Sequence, residues 1–511
     1  MEETSSLKNK SIKGLFWSFC DLISSQGIQF IIQVILARLL VPKDFGIIGI
    51  IMVFVAISQA LIDSGFNNAM IREKELARED YSTVFFFNLF VSVLLYILLF
   101  FSSGAIGGFF REPQLEAVLR VLALTLVIGS FGLIQRTMMI RSINFKVQTK
   151  INIFSTVLSG AAAIAAAYMG AGVWSLVIKQ LISQMLQSFL LCFHNRWRPV
   201  PVFRAASFKR LFSFGWKLMV SGFIFTLYNN LYLVVIGRIF SAVELGYYSN
   251  AQKLRDMAAQ SVTVSVQKVS YPVLSSLQED EERLRNLYKK LILTSVFVTF
   301  PMLLGLASVA DPLIRTVFGQ KWVNSIPYFQ ILCMAGMPFS LQVINLNILQ
   351  VKGRSDLFLG LEIIKIAIGL ASIAGVFLLR LGITALLWST VLVSVISYFT
   401  DSFYSKKLIA YSTKQQIKDM LPILSAALIM AAAAYFTGRL LPGNNFVRLV
   451  LQTAVGVTVY GVTCKIIRVK EFETVAEIIG NILNRGHGRR KASGLLYHKQ
   501  SGRWFGWNRS R

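Results

Sequence analysis

Acidic residues are scarce in this chain. Asp and Glu number 25 among 511 residues, and the four charged types together make up only 15% of the sequence. A water-soluble protein of this length carries more charge and interrupts its apolar segments more often. The four cysteines, Cys20, Cys192, Cys333 and Cys464, lie far apart and form no CxxC pair, so neither a disulfide framework nor a cysteine metal site is indicated. The three histidines, His194, His487 and His498, fall outside the apolar runs. No GxxxxGK[ST] loop occurs, which argues against nucleotide hydrolysis by this chain. Cofactors are expected to be absent. The loops between apolar runs reach only about 17 residues, too short for a soluble catalytic domain.

What remains is hydrophobic. Apolar residues make up 55% of the chain and the mean hydropathy is +0.60. Runs of about 18 to 25 apolar residues recur from end to end, each long enough to cross about 30 Å of hydrocarbon as helix. They lie near 14–37, 45–68, 82–106, 115–137, 151–170, 173–194, 211–237, 243–271, 288–311, 325–350, 356–380, 382–404, 419–441 and 446–467. The expected fold is an all-α integral membrane protein of about 14 transmembrane helices. The first run follows Lys8, Lys10 and Lys13 and continues past Leu36, which suits a retained helix better than a cleaved signal.

The net charge of +27 would suggest nucleic acid in a soluble protein. In a membrane protein it marks cytoplasmic loops, and no nucleic-acid partner is expected. With the N-terminus inside, alternate loops collect about 25 basic residues on the cytoplasmic side against about 10 on the other. Omitting the weakly hydrophobic eighth run would invert every later loop, so the charge pattern requires it. Both termini are then cytoplasmic.

An internal repeat is legible. Ala37-Arg38-Leu39-Leu40 followed by Asp44-Phe45-Gly46 parallels Gly237-Arg238-Ile239-Phe240 followed by Glu244-Leu245-Gly246, two hundred residues later. Val121-Leu122-Ala123-Leu124 aligns with Ile331-Leu332-Cys333-Met334. Six helices per repeat make both halves enter the membrane in the same direction. This predicts two parallel-repeat six-helix lobes around a central cavity, plus two C-terminal helices. The expected divisions are 1–200, 201–411, 412–470 and a basic cytoplasmic tail over 471–511.

The eighth run carries a polar face. Ser249, Lys253, Asp256, Gln260, Thr263 and Gln267 follow helical spacing, with Arg255 beside them. Lipid penalises such a face, so it should front water or substrate inside the bundle. The blander reading is a closed Lys253–Asp256 pair that serves only packing. Milder stripes hold Asp21 and Gln29 in the first run, Asp63 in the second, and Lys217 and Asn229 in the seventh. Substrate-cavity candidates are therefore Lys217, Asn229, Lys253, Arg255, Gln260 and Gln29, and ion-coupling candidates Asp21, Asp63 and Asp256. Lys179 is read as a snorkelling side chain, and Glu362 with Lys365 as a self-contained pair. Cationic cavity residues suit an anionic, phosphate-like cargo.

The stretches ARLLVPKDFG (37–46), DSGFNNAMI (63–71), YSTVFFFN (81–88), RSINFK (141–146), GVWSLV (172–177), LGYYSNAQKL (245–254) and QVKGRSD (350–356) resemble a known family in their order. It is the polysaccharide transporters of the multidrug/oligosaccharidyl-lipid/polysaccharide exporter superfamily, also called lipopolysaccharide biosynthesis proteins or O-antigen and colanic-acid-type flippases. The resemblance spans about residues 10–410 and contains no catalytic signature. It implies a V-shaped bundle in the bacterial inner membrane, moving undecaprenyl-pyrophosphate-linked oligosaccharide outward by alternating access. It further implies membrane lipids, a polysaccharide polymerase and a chain-length regulator as partners.

Two alternatives are weighed. A cation-coupled multidrug exporter of the same superfamily favours acids and aromatics in its cavity and typically stops at twelve helices. A membrane-embedded polymerase or glycosyltransferase needs a larger polar loop or domain than any here. The tail ends in Trp504, Phe505 and Trp507 among arginines, a pattern suited to an anionic leaflet.

Overall fold

The computed structural model describes residues 17, 21 and 24–473, except 64, 74, 143 and 442; the side chains of 260–269, 271, 272 and 355 also lie outside the description. Helices account for almost all the described chain. They are α1 (24–39), α2 (Pro42–Asp63), α3 (Phe66–Arg72), α4 (Arg78–Phe110), α5 (Gln114–Leu122), α6 (Leu124–Arg141), α7 (Phe145–Tyr168) and α8 (Val173–Asn195). The second half continues with α9 (Ala205–Ile239), α10 (Ala242–Ser275), α11 (Glu281–Ser308), α12 (Ala310–Val317), α13 (Ile326–Val351), α14 (Ser355–Leu378), α15 (Ile383–Phe403) and α16 (Ser405–Ile409). Two long helices, α17 (Thr413–Leu440) and α18 (Asn445–Ile467), close the described chain.

Each apolar run coincides with helix over its described part. Twelve helical segments are long and apolar enough to cross a membrane, so this is a multi-pass membrane protein. The eighth run is α10, 34 residues long and too polar to be counted among the twelve. Its position explains how that polarity is tolerated, because α10 packs centrally against α2 and α13 instead of facing lipid.

The repeat appears as reciprocal contacts between the two halves. A Cβ on Gly46 would lie 1.7 Å from the Ala242 carbonyl oxygen, and one on Gly246 would lie 1.9 Å from that of Pro42. Since 42 aligns with 242 and 46 with 246, each half presents the same glycine to the same carbonyl of the other. That is the self-complementary pattern of a two-fold axis, and only glycine lets the backbones approach so closely. The aligned arginines repeat the exchange. Arg38 donates Nε to the Val317 carbonyl at 2.9 Å and a second hydrogen bond to Thr316, at the end of α12; Arg238 donates to the Phe109 carbonyl, at the end of α4. Cations belong at helix C-termini, where carbonyls lack intrahelical partners.

This seam occupies the end that the charge pattern places outside. Leu36, Ile47, Ile50, Ile51 and Leu245 are buried there, and Trp322 is sealed beneath its indole N–H···O bond to Ala37, 2.8 Å long. Burial does not persist along the same helices. In α10, residues 245–251 are buried without a break, whereas 252–258 are all accessible to some degree. In α2 accessibility likewise rises after Val53. The halves meet tightly at this end and leave space between them farther along.

At the inner end the link between halves is strapped to the first half. The backbone N–H groups of Val200 and Arg204 donate to Ser82 and Thr83 at 3.0 and 3.1 Å, and Arg210 pairs with Asp80 at 3.0 Å. Gly65, at φ +68°, breaks the second run into α2 and α3 and admits the Gly215 carbonyl of α9, which a Cβ would approach to 2.2 Å. The inner half of α9 therefore packs on the first lobe, although its sequence belongs to the second.

Candidate functional site

The inner space is polar because several helices turn polar faces toward it. Lys253 of α10 is exposed by surface area yet has protein on all sides, as expected of a side chain projecting into internal space. Among the described residues it has no hydrogen-bond or ion-pair partner. Asp256 does not close on it: the Asp256 carboxylate pairs with Arg255 at 2.5 Å, so the alternative of a closed Lys253–Asp256 packing pair is not what forms. Helical geometry explains the choice, since Arg255 leans along α13, with its Cδ 3.2 Å from a Cβ position on Gly336, and Asp256 follows it.

The first lobe supplies a matching wall. Lys179 of α8 is close enough to Lys253 for the two cations to repel. Arg136 of α6 donates to the Gln187 side chain at 3.0 Å and lies within electrostatic reach of Asp21. Asp21 itself accepts from Ser25 at 3.1 Å and from Asn152 of α7 at 3.2 Å. Gln184 and Gln59 converge beside Gly129, at 3.0 and 4.0 Å from its Cβ position. Four cations, Arg136, Lys179, Lys253 and Arg255, thus stand against two carboxylates, Asp21 and Asp256, among the described residues. The excess of cations gives this wall a positive potential.

Other sequence candidates lie elsewhere. Lys217 is exposed on the inner half of α9, with no polar partner among the described residues, because that half leans on the first lobe. Asn229 is exposed and bonds the Phe225 carbonyl of its own helix at 3.0 Å. Gln29 is exposed, and it is Gln33, one turn on, that crosses to the second half, donating to Asn250 at 2.6 Å. Asp63 ends α2 and accepts from the Asn67 backbone N–H, so its carboxylate caps the first turn of α3; its Oδ1 is buried without a hydrogen bond. Gln260 is helical, but its side chain lies outside the described residues, as does the tail from 474.

Arg136 and Lys179 stand beside this space although neither is among the sequence candidates. Lys179, Ser183, Gln184 and Gln187 do follow helical spacing along the sixth run, and that stripe was the available signal. Among the described residues no group of His, Cys, Asp and Glu could hold a metal ion.

Comparison with known proteins fits this architecture. Residues 35–327 match the family described as "Polysaccharide biosynthesis protein", more than half of the chain, and the protein belongs to that family. It is 28% identical to teichuronic acid biosynthesis protein TuaB of Bacillus subtilis (strain 168), over 69% of this chain and 73% of that one. It is 26% identical to lipopolysaccharide biosynthesis protein WzxC of Escherichia coli (strain K12), over 86% and 90%. Among solved structures, lipid II flippase MurJ in its inward closed conformation superposes with a TM-score of 0.69 at 18% identity, over 89% of this chain and 98% of that one. An inward-facing multidrug MATE transporter gives 0.53 at 15%, over 77% and 96%. At these identities the structural likeness speaks for the fold alone.

Proposed function

We propose that the protein is a flippase that carries polyprenyl-pyrophosphate-linked oligosaccharide, of the undecaprenyl type, across the bacterial inner membrane by alternating access. The observation that carries this reading is the set of cations without a salt bridge among the described residues, Arg136, Lys179 and Lys253, contributed by both lobes to one internal space. Pyrophosphate is a compact polyanion, and cations from two facing walls neutralise it better than either wall alone. The glutamines beside Gly129 offer both donors and acceptors, the groups that sugar hydroxyls need. Asp21 orients Arg136, Asp63 holds the α2–α3 break, and Asp256 neutralises Arg255. The lipid tail stays in the bilayer, where its transfer costs nothing.

The lobes correspond to 1–200 and 201–411, followed by a helix pair over 412–470 and a basic tail over 471–511, with both termini cytoplasmic. Opening outward requires the glycine seam to part and Arg38 and Arg238 to release their carbonyls, a movement of one packed half against the other. No covalent step is needed. The glycan released outside would pass to a polymerase and a chain-length regulator. The acids and aromatics that a cationic drug would favour are outnumbered by cations in the cavity, so the drug-exporter reading gains nothing here.

The test is genetic and chemical. Deleting the gene in its host should leave lipid-linked glycan accumulating on the inner leaflet, and the intact gene should clear it while the Lys179→Glu/Lys253→Glu pair should not. Clearance by the double variant at normal protein level would overturn the reading. Export of cationic dyes from vesicles with no glycan accumulation would replace it with a drug exporter.

A further inference from the structure

The second lobe holds a charge cluster that the cavity does not use. Lys365 of α14 lies 2.9 Å from Glu362 Oε1 on its own helix and 2.8 Å from Asp401 Oδ2 on α15. The Asp401 side chain is wholly buried, that of Lys365 is 9% exposed, and only Glu362, at 31%, reaches accessible space. Two carboxylates thus share one ammonium. Ionised, the cluster carries one uncompensated negative charge inside a membrane-spanning lobe, a state that low dielectric strongly disfavours. Asp401 Oδ1 is buried with no hydrogen-bond partner among the described residues. The cluster is short of one positive charge.

We propose that the cluster of Glu362, Lys365 and Asp401 is a proton-binding site, holding one exchangeable proton on its carboxylates. A proton fits better than a metal cation because the Lys365 ammonium already occupies the position between both carboxylates. Uptake by Glu362 leaves the Lys365–Asp401 pair intact and brings the cluster to neutrality; release restores the negative charge. Titratable groups approach from each neighbouring element. From α9, the Tyr228 hydroxyl donates to the Lys365 carbonyl at 3.4 Å. Tyr398, one turn before Asp401 on α15, and Tyr288 of α11 lie near it. The Tyr398 hydroxyl donates to Gln416 at 3.3 Å, and Gln416 donates to Ser405 at 3.0 Å. Farther in, Tyr411 donates to Asp419 at 2.8 Å, and Asp419 pairs with Lys289 at 2.7 Å near the surface. Burial pushes the Tyr411 hydroxyl up, aided by the Asp419 carboxylate, so it stays a donor.

The same site touches the helix that links the lobes. Gly369, one turn beyond Lys365, meets Tyr228 so closely that a Cβ would lie 2.5 Å from its hydroxyl. The inner half of α9 is strapped to the first lobe, so a change of charge at Lys365 acts where the lobes are joined. That coupling to transport rests on the flippase reading; proton binding does not.

The test therefore uses purified full-length protein in liposomes without glycan. Infrared difference spectra between acid and alkaline pH should contain one titrating protonated-carboxyl C=O band that belongs to the cluster, set apart from those of the other acids by comparison with Glu362→Gln. Glu362→Gln should abolish it, and Asp401→Asn should shift it to lower pH, because the remaining acid then has the ammonium to itself. If Asp401→Asn fails to fold, Lys365→Met provides the converse shift to higher pH. Identical difference spectra for the wild type and Glu362→Gln overturn the site. So does loss of the band on adding sodium at constant pH, which would make it a metal-cation site. A band that behaves as expected in a protein that moves no glycan would retain the site and reject the flippase reading.

Discussion

The two lobes share a topology and a reciprocal seam, yet they dispose of their charges in opposite ways. The first lobe turns Asp21, Gln59, Arg136, Lys179 and Gln184 toward the central space. The second folds Glu362, Lys365 and Asp401 into its own interior and sends mainly α10 to the centre. Equivalent positions show the divergence directly. Asn152 of α7, which meets Asp21, aligns with Glu362 of α14 at the 210-residue offset that relates Val121–Leu124 to Ile331–Met334, and Ser155 aligns with Lys365. Symmetry is kept where the halves must fit together and lost where they must do different things.

The comparison can be broken most severely at the cavity. Replacing Lys179 and Lys253 together by Glu should reduce glycan export by at least about a hundredfold, since a charged hydrogen bond is worth about 1.5–3 kcal/mol and two are inverted. Accumulated lipid-linked glycan at matched protein level checks this. The seam comes next. Gly46→Ala and Gly246→Ala should each cost about 1–3 kcal/mol through overpacking, and reciprocity requires the two losses to be similar; thermal unfolding in detergent measures both. Arg38→Ala and Arg238→Ala form a weaker matched pair, each about 1 kcal/mol from lost hydrogen bonds to carbonyl oxygens, and a large inequality between them would show that the seam is not symmetric. Smallest of all, Lys217→Ala and Asn229→Ala should leave export and stability nearly unchanged, within about 0.5 kcal/mol.

Much of this was legible in the sequence because helices in lipid must be long, apolar and internally bonded. The Arg38 and Arg238 motifs gave the repeat, and the loop charges required α10 despite its polarity. The site was only half legible. Lys253 stood out because a polar stripe on a weak helix has few places to go. Lys217 and Asn229 lie on α9, whose inner half leans on the other lobe, and depth along a helix says nothing about which way a side chain faces. Lys179 was read as a snorkelling side chain, and only packing across the bundle decides whether such a side chain snorkels. Asp401 gave no signal, since its partner Lys365 lies on another helix.

The central claim is that both lobes offer cations to one anionic headgroup. Its most direct test is the affinity of purified protein in nanodiscs for polyprenyl pyrophosphate and for the uncharged polyprenol of equal length. The account predicts that the pyrophosphate binds at least tenfold more tightly and that Lys179→Glu and Lys253→Glu each erase most of the difference, a loss of about 1.4 kcal/mol or more. Equal binding of the two lipids, or a preference untouched by both variants, would contradict it.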